Sequence, residues 1–313
     1  MQQETSPVWK HGLTAWLVFV GLTIFSVYLP ALALVGLLLS VIPIAWFRAK
    51  HSRNSTFLLV VFSLIAAVLL GSYPGLFVAM VTVPIGFIIG DGLARRQSKV
   101  YLFISTAIVL MLTSVMQLAL TQFLFSINLI EEGIDQLRAS YIQVGEMMES
   151  VGQLPNDFDE IVRTSLQTFS LVLPGYFIAM MFVAALVYIS VALPILRKLK
   201  VPVPRFAAFR HFQLPRAVIW YYLIVSLLSL FAVFEAGSFG EMILVNAVFI
   251  FRALLFLQGI SLVHFYFHHQ SWPKWGAIAT TIVLIPFYSI VVIIGVIDLG
   301  FRLRAYIAAS PKK

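Results

Sequence analysis

Cysteine is absent from the 313-residue chain. That excludes disulfides, thiol catalysis and cysteine-bound metal. Charge is scarce too: Asp, Glu, Lys and Arg together make up 11% of the residues, against about 25% in an ordinary globular domain. So few polar side chains cannot coat a folded surface in water. A soluble enzyme, a disordered chain and a disulfide scaffold are therefore excluded. Acidic residues are the scarcest charge, 13 against 21 basic ones, for a net charge of +8. In their place the chain is 61% hydrophobic, with a mean hydropathy of +0.98. The apolar residues form long continuous runs, not the alternating strands of about ten residues that build a β-barrel.

Apolar runs occupy 13–29, 31–47, 56–70, 75–94, 100–127, 166–194, 217–234, 242–266 and 276–300. A helix of roughly 20 apolar residues crosses the bilayer. The expected fold is an all-α, polytopic transmembrane helical bundle of eight or nine spans, eight if 276–300 is re-entrant around Pro286. The first helix is read as uncleaved, turning at Pro30 into a tight hairpin. Bases cluster in three loops: Arg48, Lys50 and Arg53; Arg95, Arg96 and Lys99; and Arg197, Lys198, Lys200, Arg205, Arg210 and Arg216. These loops lie two spans apart and so share a side. Positive-inside bias makes that side cytoplasmic, with the N-terminus inside a multi-pass plasma-membrane protein. The basic balance is then a mark of orientation, and nucleic acid is not an expected partner.

Residues 131–163 reverse the pattern. Eight acids and two bases give this stretch a net charge of −6, which suits the external side. Ile134, Leu137, Tyr141, Val144, Met148 and Val151 recur at helical spacing. The expectation is an amphipathic helix over 130–152, ended by Pro155, with a second helix capped near Asn156 or Asp157. Such a helical insertion serves as a packed cap, a lid over an external cavity, or a docking face.

Within the spans, Gly86, Gly90 and Ala94 repeat every four residues, a small-residue ridge for close helix packing within the chain or with another subunit. The segment 202–216 interleaves Phe206, Phe209 and Phe212 with Arg205, Arg210 and Arg216. It reads as an interfacial stretch against membrane lipid, or as a face for a cytoplasmic partner. Arg252 falls ten residues into its run, near mid-bilayer, where a charge costs about 3 kcal/mol on insertion scales. No carboxylate stands at matching depth. Its guanidinium is expected to turn inward, either as inter-helix glue or toward a bound anion. Asn246, Gln258 and Gln117 are candidates for the same polar region.

Catalytic patterns fail on inspection. Gly90-Asp91-Gly92 lacks the leading glycine of an intramembrane aspartyl protease, because Ile88 occupies that place. Glu131-Glu132 lacks the following arginine of a Glu-Glu-x-x-x-Arg motif. His264 and His268 share a helix face with no acidic neighbour. No enzyme activity, metal or cofactor is expected.

The stretches SVYLPALALVGLLLSVIPIAWFRAKHSR, RHFQLPRAVIW, LQGISLVHFYF and GVIDLGFRLR, with the glycine-spaced fourth span, resemble the YybS-like family of bacterial membrane proteins over nearly the whole chain. The six N-terminal spans are also distantly similar to S components of energy-coupling-factor vitamin transporters, which hold a small ligand near the external side and join a coupling subunit. The first helix departs from that pattern, with Gly12, Ala15 and Gly21 where S components carry alanine-xxx-alanine repeats. The resemblance implies a six-span core over 1–200, including the insertion at 128–165, followed by two or three further helices over 201–313. It implies binding or transport of a small solute, or a membrane partner that scaffolds or regulates another membrane protein. It also implies two possible partners: the coupling subunit, and a membrane-bound cyclic-dinucleotide phosphodiesterase often encoded beside this family.

Overall fold

The computed structural model describes residues 8–204, 208–231, 234, 235, 237–301 and 303–309; among them the chain is helical, with no strand. They divide into two compact units. One holds the described residues of 1–133 and 178–205, the other those of 134–177 and 206–313. The chain passes between the units at 133/134, 177/178 and 205/206, so 134–177 groups with the C-terminal segments.

The first unit begins with α1 (Val8–Tyr28), a single helical turn at Pro30–Leu32, α2 (Ala33–Leu39) and α3 (Val41–Lys50). Then comes α4 (Arg53–Ala94), whose 42 residues are too many for one crossing. At 1.5 Å per residue they would reach about 63 Å, twice the hydrocarbon thickness. The helix breaks at Ser72, where φ is 49° and ψ is −143°. The two arms fold back on each other: Gly75 packs on the carbonyl of Ala67, and Arg53 reaches Asp91. Pro74 follows the break, so the second arm starts at a residue with no N–H to donate. α5 (Lys99–Phe125) opens on Ser98, whose hydroxyl accepts the N–H of Tyr101.

Gly86 and Gly90 place the second arm of α4 against α3. A Cβ at Gly86 would stand 2.7 Å from the Val41 oxygen, and one at Gly90 would stand 2.6 Å from that of Ala45. The small-residue ridge is thus a seam within the chain. Ala94 is exposed and lies outside it. Around the seam Val41, Ile85, Ile89, Leu102, Ile189 and Leu196 form the core.

Connections in this unit gather at two ends. At one, the Tyr28 hydroxyl donates to the Leu70 carbonyl at 2.6 Å, and Tyr73 meets the Phe125 ring. At the other, His11 lies 3.1 Å from His51, Lys50 donates to the Leu199 carbonyl, and Arg95 pairs with Asp91. The start of α1 and three basic loops therefore share an end.

In the second unit, α6 (Leu129–Ser150) contributes from residue 134 and α7 (Phe158–Lys198) up to residue 177. The α6 stripe follows its sequence period: Ile134, Leu137, Tyr141 and Met148 are partly buried. Val144 does not join it and is 44% exposed, as Val151 is at 65%. Gly145 is buried instead, flat against the Phe158 ring. The stripe thus shifts by one residue where a glycine lets an aromatic ring approach.

α8 (Ala217–Phe231), α9 (Phe239–His269), α10 (Lys274–Leu284), α11 (Tyr288–Phe301) and α12 (Leu303–Ala309) complete the unit. α10 and α11 bend by 119° at Ile285–Phe287. Gly276 of α10 rests on Phe267 of α9, Gly295 of α11 on Leu255, and Arg304 reaches Ser261. The bent pair thus packs along one stretch of α9. Among the described residues six helical stretches are long and apolar enough to cross a membrane, α1, Pro30–Lys50, α4, α5, α7 and α9, or seven if the bent pair is one span.

Candidate functional site

Where α6 lies along α7 the two helices leave a groove of about 570 Å³, a size typical of small-molecule sites. Its residues follow from helical period. Tyr141 comes one turn after Leu137 on α6; Glu160, Thr164, Thr168, Val172 and Tyr176 recur every four residues on α7. Hydroxyls and a carboxylate line one part, while Leu137, Phe169 and Val172 make the apolar part. Glu160 stands in the first turn of α7, where a negative charge favours the helix dipole. The arrangement offers hydrogen-bond donors and acceptors beside an apolar wall.

The polar residues named as candidates for one polar region each have hydrogen-bond partners of their own. Gln117 of the first unit donates to the Phe77 carbonyl at 2.6 Å. Asn246 repairs a break in α7: its side-chain oxygen accepts the Gly175 N–H, and its amide donates to the Leu171 carbonyl at 2.7 Å. Those two backbone groups would pair with each other in an unbroken helix. The asparagine bridges the ladder beside Pro174, a known way for helices to bend.

Gln258 is fully buried, accepting the Leu214 N–H at 2.9 Å and donating to Asp298 at 2.5 Å. Arg304 donates to Asp298 at 3.0 Å, to the Arg210 carbonyl at 2.9 Å and to the Ser261 hydroxyl at 3.1 Å. Ser261 in turn lies 2.9 Å from the Phe209 carbonyl and 2.8 Å from that of Phe212. This network fastens the 209–214 backbone to α9. Arg205 and Phe206 of that aromatic–basic segment lie outside the described residues. His264, considered above as a metal ligand, sits 2.9 Å from the Thr281 hydroxyl.

Arg252 corrects the sequence expectation most. It is exposed rather than turned inward, and among the described residues it makes no hydrogen bond or ion pair. The faces of α9 that meet protein carry Asn246 and Gln258, about 120° to either side of Arg252 at 100° per residue. The inward directions are thus already filled. Aromatic rings frame the arginine: Phe249, one turn before it, packs on Tyr176 at 4.5 Å, and Phe256, one turn after it, stacks on Tyr288 at 5.0 Å.

The basic end of the first unit holds a second charged system, centred on Asp91. Arg48 donates to its Oδ1 at 2.5 Å, Arg53 to its Oδ2 at 2.7 Å, and Arg95 lies 3.0 Å from Oδ2. Nearby, burial holds the His51 imidazole below its ordinary pKa, and the charges of His11 and Lys50 push it the same way.

A family described as "Predicted membrane protein (DUF2232)" matches residues 17–299. The chain belongs to this family. It is also 27% identical over 292 residues to "Uncharacterized protein YybS" of Bacillus subtilis (strain 168), covering 91% of this chain and 94% of that protein. No solved structure matches the chain. Membership establishes a membrane protein and agrees with the resemblance read from the hairpin and C-terminal stretches.

The groove residues on α7 were not singled out from sequence. Their signal was present: Thr164, Ser165 and Thr168 interrupt the start of an apolar run at one-turn spacing. The Asp91 and Asp298 networks carried less signal, because each joins residues about 40 or more positions apart.

Proposed function

We propose that this integral membrane protein binds a small solute in the groove between α6 and α7, and that binding serves transport. The observation that carries the reading is the groove itself, of about 570 Å³, with Tyr141, Glu160, Thr164 and Thr168 beside an apolar wall. Few polar groups set against apolar surface are what orient a small ligand. Positive-inside bias supports an N-terminus and three basic loops in the cytoplasm, with the acidic 131–163 stretch outside. The groove then opens to the external side, where a solute arrives. No catalytic role is assigned to any residue.

The test uses the full chain extracted with its native lipids into polymer nanodiscs. Wild type is expected to retain a small solute detectable by mass spectrometry. Thr168→Trp, which fills the groove from an exposed helix position, is expected to lose it. Identical solute profiles for the two proteins would remove the reading.

A further inference from the structure

Three helices each bring a tyrosine toward Arg252. Tyr176 of α7 rests on Phe249, and Tyr288 of α11 rests on Phe256. Positions three before and four after an arginine share its helix face. Tyr222 of α8 packs in the same apolar cluster as Phe256 and Tyr288, around Leu255 three residues after Arg252. The guanidinium nonetheless stands exposed, without a hydrogen-bonded or ionic partner among the described residues.

Its depth makes that costly. Arg252 lies 13 residues into the 31 of α9, about 20 Å from the helix start at 1.5 Å per residue. That is too deep for the side chain to lift its charge fully to either interface. Of the carboxylates in this unit, Asp298 holds Arg304 and Glu160 lines the groove. Among the described residues no carboxylate answers Arg252, and an anion from outside the chain would.

We propose that Arg252, with Tyr176, Tyr222 and Tyr288, is an anion-recognition site that takes a phosphate or carboxylate attached to an apolar or aromatic body. The guanidinium supplies a two-pronged donor for such an oxyanion. Tyrosine hydroxyls add further donors, and the ring faces of Phe249 and Phe256 receive the apolar body. The proposal rests on the solute-binding reading, because Tyr176 also lines the α6–α7 groove and so joins the two places. A soluble anion and an anionic lipid headgroup share this chemistry, and the experiment separates them.

Protein in neutral detergent is titrated with phenyl phosphate, inorganic phosphate and benzyl alcohol, following the thermal midpoint. Phenyl phosphate should raise the wild-type midpoint more than either fragment does. Arg252→Gln should weaken binding roughly tenfold or more, and Arg252→Lys less, because it keeps the charge without the fork. Tyr288→Phe should lose a few-fold through one missing donor.

In a second arm, nanodiscs of phosphatidylcholine with added phosphatidylglycerol are examined by native mass spectrometry. Phosphatidylglycerol retained by wild type and lost from Arg252→Gln assigns the anion to lipid. A phenyl phosphate response without lipid retention assigns it to a soluble compound. If Arg252→Gln does not fold, Arg252→Lys and Tyr288→Phe carry the test. Unchanged affinity in these variants, or wild type binding neither probe, overturns the proposal. A solute released by Thr168→Trp but held by Arg252→Gln sinks the anion site and leaves the groove. The reverse sinks the groove and leaves the anion site.

Discussion

Asp91 and Arg252 are both charges set in helices of an apolar chain, and the protein treats them in opposite ways. Asp91 is 3% exposed and is answered by three arginines from the chain itself, on α3, at the start of α4 and just past its end. Arg252 is exposed, in an aromatic frame, and is answered by none of the described residues. A carboxylate closed by its own chain is a clasp: it fixes the register of the α4 hairpin against α3. A guanidinium left open at depth is unanswered among the described residues, which is where the proposed anion would bind.

The largest expected effect breaks the clasp. Asp91→Asn leaves Arg48, whose side chain is 9% exposed, buried without a counter-ion. Breaking a buried pair in this way costs about 3–5 kcal/mol. Thermal denaturation in detergent should show a large drop in midpoint. Arg53→Gln and Arg95→Gln should each lower the midpoint far less than Asp91→Asn does, since those side chains are 52% and 47% exposed. On the other side of the comparison, Arg252→Leu measured without added anion should be neutral or stabilising, because it removes a charge that has no partner. A tolerant Asp91 or a destabilising Arg252→Leu would erase the distinction.

Much of the fold was legible because hydrocarbon imposes a length and a period. The runs at 56–70 and 75–94 foreshadow the two arms of α4, and the α6 stripe is set by its apolar spacing. Charge pairing was not legible. Asp91 meets Arg53 only because the hairpin turns at Ser72, and a turn elsewhere would pair other residues. Helical spacing points from Asp298 to Arg302, which lies outside the described residues; the structure pairs Asp298 with Arg304, six positions on. Arg252 was expected inward on cost alone, but Asn246 and Gln258 fill the inward faces with bonds to α7, to Leu214 and to Asp298.

A smaller effect sharpens what tight packing means in the clasped unit. Gly90→Leu drives a side chain into the Ala45 backbone and the Arg48 Cβ. Overpacking of that kind costs about 1–3 kcal/mol, and here it also pries at the arm that carries Asp91. Gly21, on α1, has nothing within 4 Å of where a Cβ would sit. Gly21→Ala should therefore stabilise by about 0.5–1 kcal/mol through helix propensity alone. The pair is checked by melting both variants under one condition. Equal responses would mean that the seam between α3 and α4 is not close-packed.

The smallest expected effect is a pH dependence at the same end. His51 sits beside His11 and Lys50, and burial and both neighbours disfavour its charged form. Its folded-state pKa is therefore below the unfolded value of about 6.5. Below that value the unfolded chain binds a proton at this position more readily than the folded one does. Stability rises with pH wherever the unfolded state holds more protons. The contribution of His51 is thus complete above about pH 6.5 and is lost as pH falls from there toward the lowered folded pKa. Melting wild type and His51→Gln from pH 7.5 down to pH 5 should show the wild type losing more. The variant keeps a polar side chain and cannot charge, so its curve should be flatter over that window. Parallel curves would mean that the imidazole takes up its proton without a cost to this end of the first unit.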